Sequence, residues 1–144
     1  MIQRDYILRM IEMLGELLAG VINLIRKGEF KKAEQEIDRL YYDLLKQDAN
    51  DINELSEENL TESLLQQHNY TNGHLEIFAE LMYVQAELSK ARKDYDLSAD
   101  FYKKSLKLTQ YIKTTTRTFS IERQNRELEI KDKLRHIKQT QSNS

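Results

Sequence analysis

The chain has 144 residues, 32% of them charged, no cysteine, no proline, four glycines and a formal net charge of −2. This length suits one domain with a real core, and the composition favours helix over sheet. Disulfides, thiolate chemistry and cysteine-based zinc sites are excluded. No run approaches the roughly 18 uncharged apolar residues of a membrane span. Arg4 and Asp5 precede any apolar block, which is unlike a signal peptide, so the expected location is cytoplasmic.

Taken in chain order, Tyr6, Ile7, Met10, Ile11, Leu14, Leu17, Leu18, Val21, Leu24 and Ile25 recur in steps of three and four, which predicts one broad apolar face of a first helix. Arg4, Arg9, Glu12, Glu16 and Asn23 fall opposite. Gly15 and Gly20 each cost up to about 1 kcal/mol in a helix interior, and close approach of a neighbouring helix is expected at Gly20. Arg26-Lys27-Gly28 reads as the helix end. Phe30, Ala33, Ile37, Leu40, Tyr41, Leu44 and Leu45 mark a second helix, completing a hairpin over 2–47.

An acidic linker, 48–70, holds Asp48, Asp51, Glu54, Glu57, Glu58 and Glu62. Within it Ser56 is a candidate cap for a short helix with Leu60, Leu64 and Leu65. His68–His74 reads as a turn around Asn72-Gly73. Leu75, Phe78, Leu81, Met82, Ala86 and Leu88 mark the next helix, ending near Lys93. Asp94-Tyr95 opens its partner with Ser98, Ala99, Tyr102, Ser105, Leu106 and Tyr111, a second hairpin over 74–113. The β-branched run TTTRTFS interrupts the helix, and Ser120 caps a last one over 120–138, with a thin stripe of Ile121, Leu128, Leu134 and Ile137. Residues 139–144 form a polar tail expected to be disordered. The expected fold is all-α: a single domain, 1–138, of about five to six helices in antiparallel hairpins.

The two hairpins share a pattern. Gly28-Glu29-Phe30, then Ala33 and Ile37, parallels Lys93-Asp94-Tyr95, then Ser98 and Tyr102. This resembles the tetratricopeptide repeat (TPR), whose Gly-Asp-Tyr turn precedes a small residue and then an aromatic. Ala86, Ser98 and Ser105 extend the likeness over about 34 residues of the second hairpin, and more loosely over a similar length at the N-terminus. The aromatic-x-x-Leu-Gly opening is missing, no proline ends either unit, and the two turns are not in tandem. An irregular helical bundle is therefore the alternative architecture. The N-terminal DYILRMIE, the acidic leucine-containing linker and the later hairpin together also resemble a group of small bacterial proteins, a likeness that supplies no function. In TPR-like hairpins the first helix lines the concave surface, so the resemblance implies Tyr83, Glu87 and Lys90 as partner-binding candidates. Core packing is the plainer reading of Tyr83.

Charge is distributed unevenly. Residues 1–100 hold 11 Lys+Arg and 20 Asp+Glu, whereas residues 101–138 hold 11 and 4. Opposite surfaces attract, most strongly at low salt. Three readings follow: the last helix folds back on the acidic middle, two copies associate, or the basic segment meets an acidic partner. Lys131, Lys133 and Arg135 stand for that basic surface. Nucleic acid or another acidic polymer is an alternative, since Lys103, Lys104, Lys107, Lys113, Arg117, Arg123 and Arg126 extend the run. Against it, Glu122, Glu127, Glu129 and Asp132 interleave the cations, and no helix-turn-helix or finger pattern occurs.

No motif carries catalytic chemistry. His68 and His74, with Glu76 and Glu80 beyond, are six residues apart and do not share a helical face, so they read as exposed turn histidines. His136 reads as solvated. No phosphate loop, His-Glu-x-x-His run or nucleophile elbow is present, and Asp48-Ala-Asn-Asp51 lacks the ligand alternation of an EF-hand. The expectation is a non-catalytic protein-interaction module binding a peptide, a helix or another copy of itself. No catalytic, cofactor-binding or metal residue is assigned, and no membrane or small-molecule substrate is expected.

Overall fold

The computed structural model describes the backbone of residues 2–67, 70–116 and 120–142, and side chains from Leu8 onward except Gln67. His68, Arg117, the side chains of Arg4, Tyr6 and Ile7, and the last two residues of the polar tail lie outside the described residues. Seven helices and no strand occur among the described residues: α1 (Ile2–Arg26), α2 (Phe30–Leu45), α3 (Ala49–Asn53), α4 (Leu60–Gln67), α5 (Asn72–Ala91), α6 (Tyr95–Thr115) and α7 (Ile121–Ser142). The count exceeds the expected five to six because the acidic stretch holds two short helices. Asp48 starts α3 by accepting from the Asn50 amide at 2.8 Å. Before α4, Ser56 holds the turn, its carbonyl and hydroxyl oxygens both facing the Asn59 amide. None of the helices described is long and apolar enough to cross a membrane.

The two hairpin turns have the same geometry. After α1 the Gly28 amide bonds to the Ile25 carbonyl and the Glu29 amide to that of Leu24. After α5 the Lys93 amide bonds to Lys90 and the Asp94 amide to Ser89 in the same pattern. This paired closure needs a left-handed residue at its centre. Gly28 takes φ +79°, and Lys93 takes φ +67° with a side chain attached. The sequence parallel between the two turns is thus a parallel of backbone shape.

Helix α5 is the centre of the fold. Leu75, Ile77, Phe78, Ala79, Leu81, Met82, Tyr83, Val84, Gln85, Ala86, Leu88 and Ser89 are all buried, which covers every side of the helix. It runs antiparallel to α6, and small side chains set their approach: the Ser98 and Ser105 hydroxyls donate to the Ala86 and Ala79 carbonyls at 2.8 and 2.7 Å. Met10, Leu14, Leu18 and Val21 of α1 join the same core. From α2, Tyr41 is fully buried, packs its ring 6.1 Å from Phe78 and donates to Gln85 at 2.5 Å. Phe101 and Tyr102 are buried as well, whereas Tyr42 is 64% exposed.

Several expectations need correction. Among the described residues no atom beyond its own stretch of α1 lies within 4 Å of a Cβ built at Gly20, so none of the described helices approaches it closely, and the same holds at Gly15. Asn72 and Gly73 are not a turn but the first residues of α5. The helix is started by Thr71, whose amide donates to His74 Nδ1 at 3.1 Å. His74 is therefore a partly covered capping residue, with Tyr70's ring 4.7 Å away and burial lowering its pKa. The Arg123 amide meets the Ser120 hydroxyl at 3.3 Å, the expected cap of α7. That helix then runs on to Ser142, through residues 139–142 of the tail expected to be disordered. Its buried stripe is Glu127, Ile130 and Ile137, with Leu134 packed alongside. Ile121 and Leu128 face away instead, 64% and 58% exposed.

The matching turns generate a test. Lys93→Gly relieves the left-handed side chain and should raise unfolding stability by about 0.5–1 kcal/mol, while Gly28→Ala should lower it by about 1 kcal/mol. Urea unfolding followed by circular dichroism measures both. Equal, near-zero effects would refute the shared turn geometry.

Candidate functional site

Helix α5 turns a row of polar side chains toward α7: Glu76, Glu80, Tyr83 and Glu87, spaced by three or four residues. Opposite them stand Arg123, Arg126, Glu129 and Lys133 of α7. Arg123 Nη1 lies 3.1 Å from Glu76 Oε1. Arg126 grips Glu80 through two nitrogens, at 3.3 and 2.9 Å. Lys133 pairs with Glu87. The partners are 47, 46 and 46 residues apart, so α5 and α7 run parallel in a fixed register. Helix α6 runs antiparallel to α7, with Gln110 bonding Glu127 and Gln141 bonding Asp96.

Tyr83 sits at the middle of this seam, 2% exposed. The Arg126 guanidinium lies 3.8 Å from its ring centroid and the Lys133 ammonium 5.0 Å away, both cation–π contacts. Lys133 also donates to its hydroxyl at 2.9 Å. The hydroxyl's single proton can go to Glu87, 3.0 Å away, or to Glu129. Tyr102 of α6 donates to the other oxygen of Glu87 at 2.7 Å and stacks edge-on to Tyr83. Burial raises the pKa of both phenols, and the carboxylates beside them raise it further. Burial also acts to raise Glu87, but the hydrogen bonds from Lys133 and Tyr102 and the adjacent ammonium outweigh it, holding its carboxyl below the usual range. Burial acts to lower Arg126, yet Glu80, with Tyr83 and Glu129 beside it, outweighs that and its pKa rises. Charges taken partly out of water are stable only when matched in this way.

The structure brings Tyr83, Glu87 and Lys90 together, with Lys90 3.7 Å from Glu87. Tyr83 and Glu87 face this chain's own α7 and not open solvent, whereas the Lys90 side chain stays partly exposed beside Glu87 on its own helix. The other predicted group separates: Lys133 points inward to the seam, Lys131 meets Glu127 at 3.5 Å, and Arg135 pairs with Asp132 one turn before it on the same helix. Lys104 is buried, with Nζ 3.0 Å from both the Asn53 carbonyl and Asp100. Sequence reasoning missed Glu76, Glu80, Arg123, Arg126 and Glu129 as seam residues. The signal was present: Glu80 and Glu87 are one heptad apart, as are Arg126 and Lys133.

Beside the upper half of the seam lies an open cleft of about 570 Å³ between α1 and α7. Its floor is Leu14, Leu18, Ala79 and Ile112, and its rim carries Glu76, Glu122, Arg123 and Glu129. Among the described residues no cluster of three or more histidine or acidic side chains is placed to hold a metal.

Two substitutions separate seam from surface. Lys133→Met takes from Glu87 its cation on α7, leaving Tyr102 and Lys90, and should cost about 1–3 kcal/mol, whereas Arg135→Ala should stay within about 0.5 kcal/mol of wild type. Because the folded pKa of Glu87 is lowered, its contribution is present above the unfolded value of 4.5 and is lost as pH falls through the folded value. Glu87→Gln should therefore flatten the stability loss between about pH 5 and pH 3. Denaturant titrations across that range check both.

No family model matches the chain, and no curated protein or solved structure does either.

Proposed function

We propose that this protein is a non-catalytic protein-interaction module whose cleft between α1 and α7 receives a short helix of another protein chain. The observation that carries this reading is the make-up of the cleft, an apolar floor of Leu14, Leu18, Ala79 and Ile112 inside a charged rim. Helix-in-groove recognition uses such surfaces, with apolar anchors below and polar contacts at the edge. The cleft is within the size range of ligand sites. Its polar groups, however, serve the seam: Arg123 and Arg126 are engaged with Glu76 and Glu80. A TPR-like kinship of the hairpins fits this reading and is part of the proposal.

The alternative, binding of nucleic acid or another acidic polymer through 103–138, gains less support. Arg123, Arg126 and Lys133 are paired across the seam, and Lys113 and Lys131 flank Glu127. Those cations already have carboxylate partners, so fewer remain to release counterions from phosphates.

Gly15 lines the cleft and has space for a side chain. A photo-crosslinking amino acid placed there should yield a discrete, nuclease-resistant protein adduct in cells. The same probe at exposed Tyr42 on α2 should not yield that adduct. Nuclease-sensitive adducts, or the same products from both positions, would reject the cleft as a protein-binding site.

A further inference from the structure

Helix α7 is held differently from the rest of the molecule. Only Ile130 and Ile137 are fully buried apolar anchors, with Leu134 packed beside them. The rest of its attachment is polar: the ladder Arg123–Glu76, Arg126–Glu80 and Lys133–Glu87 on α5, clamped on Tyr83, and the bonds of Glu127 to Gln110 and Lys113 and of Gln141 to Asp96 on α6. A surface of that composition resembles a transient protein–protein interface more than a domain core. No disulfide can fix it, because the chain has no cysteine. The seat selects its occupant sharply: a basic helix with Arg at two positions three apart, Ile seven and fourteen residues after the first Arg, and Lys ten after it.

We propose that the seat on α5 and α6 is also an intermolecular site, and that its occupant is α7 of a second copy of this chain. Among the seven helices described, only α7 carries the required pattern. A second copy therefore supplies a ligand matched at every rung, with no new chemistry. The trans contacts equal the cis contacts, so reciprocal exchange leaves their energy unchanged. The balance is set by the tether, which favours cis seating through its effective concentration, and by new surface covered in the dimer. The outer face of α7 offers such surface in Ile121 and Leu128, seven residues apart and left in water by the closed chain. Closed two-fold exchange gives a dimer and not a filament, because each copy donates one helix and receives one. This inference rests on the protein-interaction reading but names a different occupant at a different place, the seat beneath α7.

Complementary charge reversal tests it in the full chain. One variant, Glu80→Arg with Glu87→Lys, makes the seat basic. The other, Arg126→Glu with Lys133→Glu, makes α7 acidic. Each variant repels its own α7, yet each fits the other reciprocally. After co-refolding, a 1:1 heterodimer of twice the 17.1 kDa chain mass should dominate by native mass spectrometry, at least tenfold over either homodimer. A chain carrying all four changes restores cis pairing and should remain folded. Should a one-sided variant fail to fold, single cysteines serve instead: Glu80→Cys in one copy and Arg126→Cys in the other. A disulfide between these copies requires trans seating. No heterodimer and no such disulfide, with the four-change chain folded and monomeric, would overturn exchange. The Gly15 adduct would be untouched by that result, and its loss alone would not affect the heterodimer.

Discussion

Everything in this molecule is arranged around the burial of α5. Twelve of its twenty residues are buried, and they are not confined to one stripe, so no single neighbour can cover it. Helix α6 covers one side closely because Ala86, Ser98 and Ser105 let the backbones approach, and the two serine hydroxyls are satisfied by α5 carbonyls. Helices α1 and α2 cover the next sides with aliphatic residues and with Tyr41, which needs Gln85 as a partner because its ring and hydroxyl are both out of water. What remains is the face carrying Glu76, Glu80, Tyr83 and Glu87. A purely apolar helix there would leave carboxylates partly buried and unpaired, at a cost of several kcal/mol. Helix α7 is the complement that this face demands.

That demand explains part of the uneven charge along the chain. Three of the eleven cations between residues 101 and 138 meet it directly. Arg123, Arg126 and Lys133 lie on one side of α7 in heptad register with acids on α5. Glu129 joins them because Tyr83 and the flanking Arg126 and Lys133 make a carboxylate favourable there. The low apolar content of α7 and its place in the fold are thus consistent: matched charges replace most of the anchor residues that a core helix would use.

Much of the fold was legible because it follows from local rules. Helix periodicity, glycine at Gly28 and the cap at Ser120 act over a few residues and survive without tertiary information, whereas Ser56, read as a cap, holds the turn before Asn59 and α4 starts at Leu60. The likeness between Gly28-Glu29 and Lys93-Asp94 was also visible, although the left-handed backbone at Lys93 is unusual for a lysine. Misreadings came where tertiary context overrides composition. Asn72-Gly73 has turn chemistry, yet Thr71 and His74 close a cap around it and the helix begins there. Ile121 and Leu128 share a seven-residue spacing that reads as a core stripe, but the seam sets the rotation of α7 and leaves them outside. The polar tail continues as helix because nothing in 139–142 breaks it, and Gln141 bonds Asp96 of α6.

For the candidate site the sequence supplied the players without the pairing. Tyr83, Glu87 and Lys90 were reached through the repeat-like hairpin, Lys133 through the basic run, and the two routes converge on one cluster. A spacing argument works within a helix, whereas the register between α5 and α7 depends on a connection and a whole intervening helix whose lengths no local rule fixes. The convergence has a physical consequence. A surface that a repeat-like hairpin would offer to a partner is already filled by this chain's own helix, through contacts specific enough to define which helix could replace it. Under the proposed exchange, recognition at that face is a competition between two occupants of one seat. Its outcome is then decided less by the strength of any rung than by the tether that keeps one occupant always at hand.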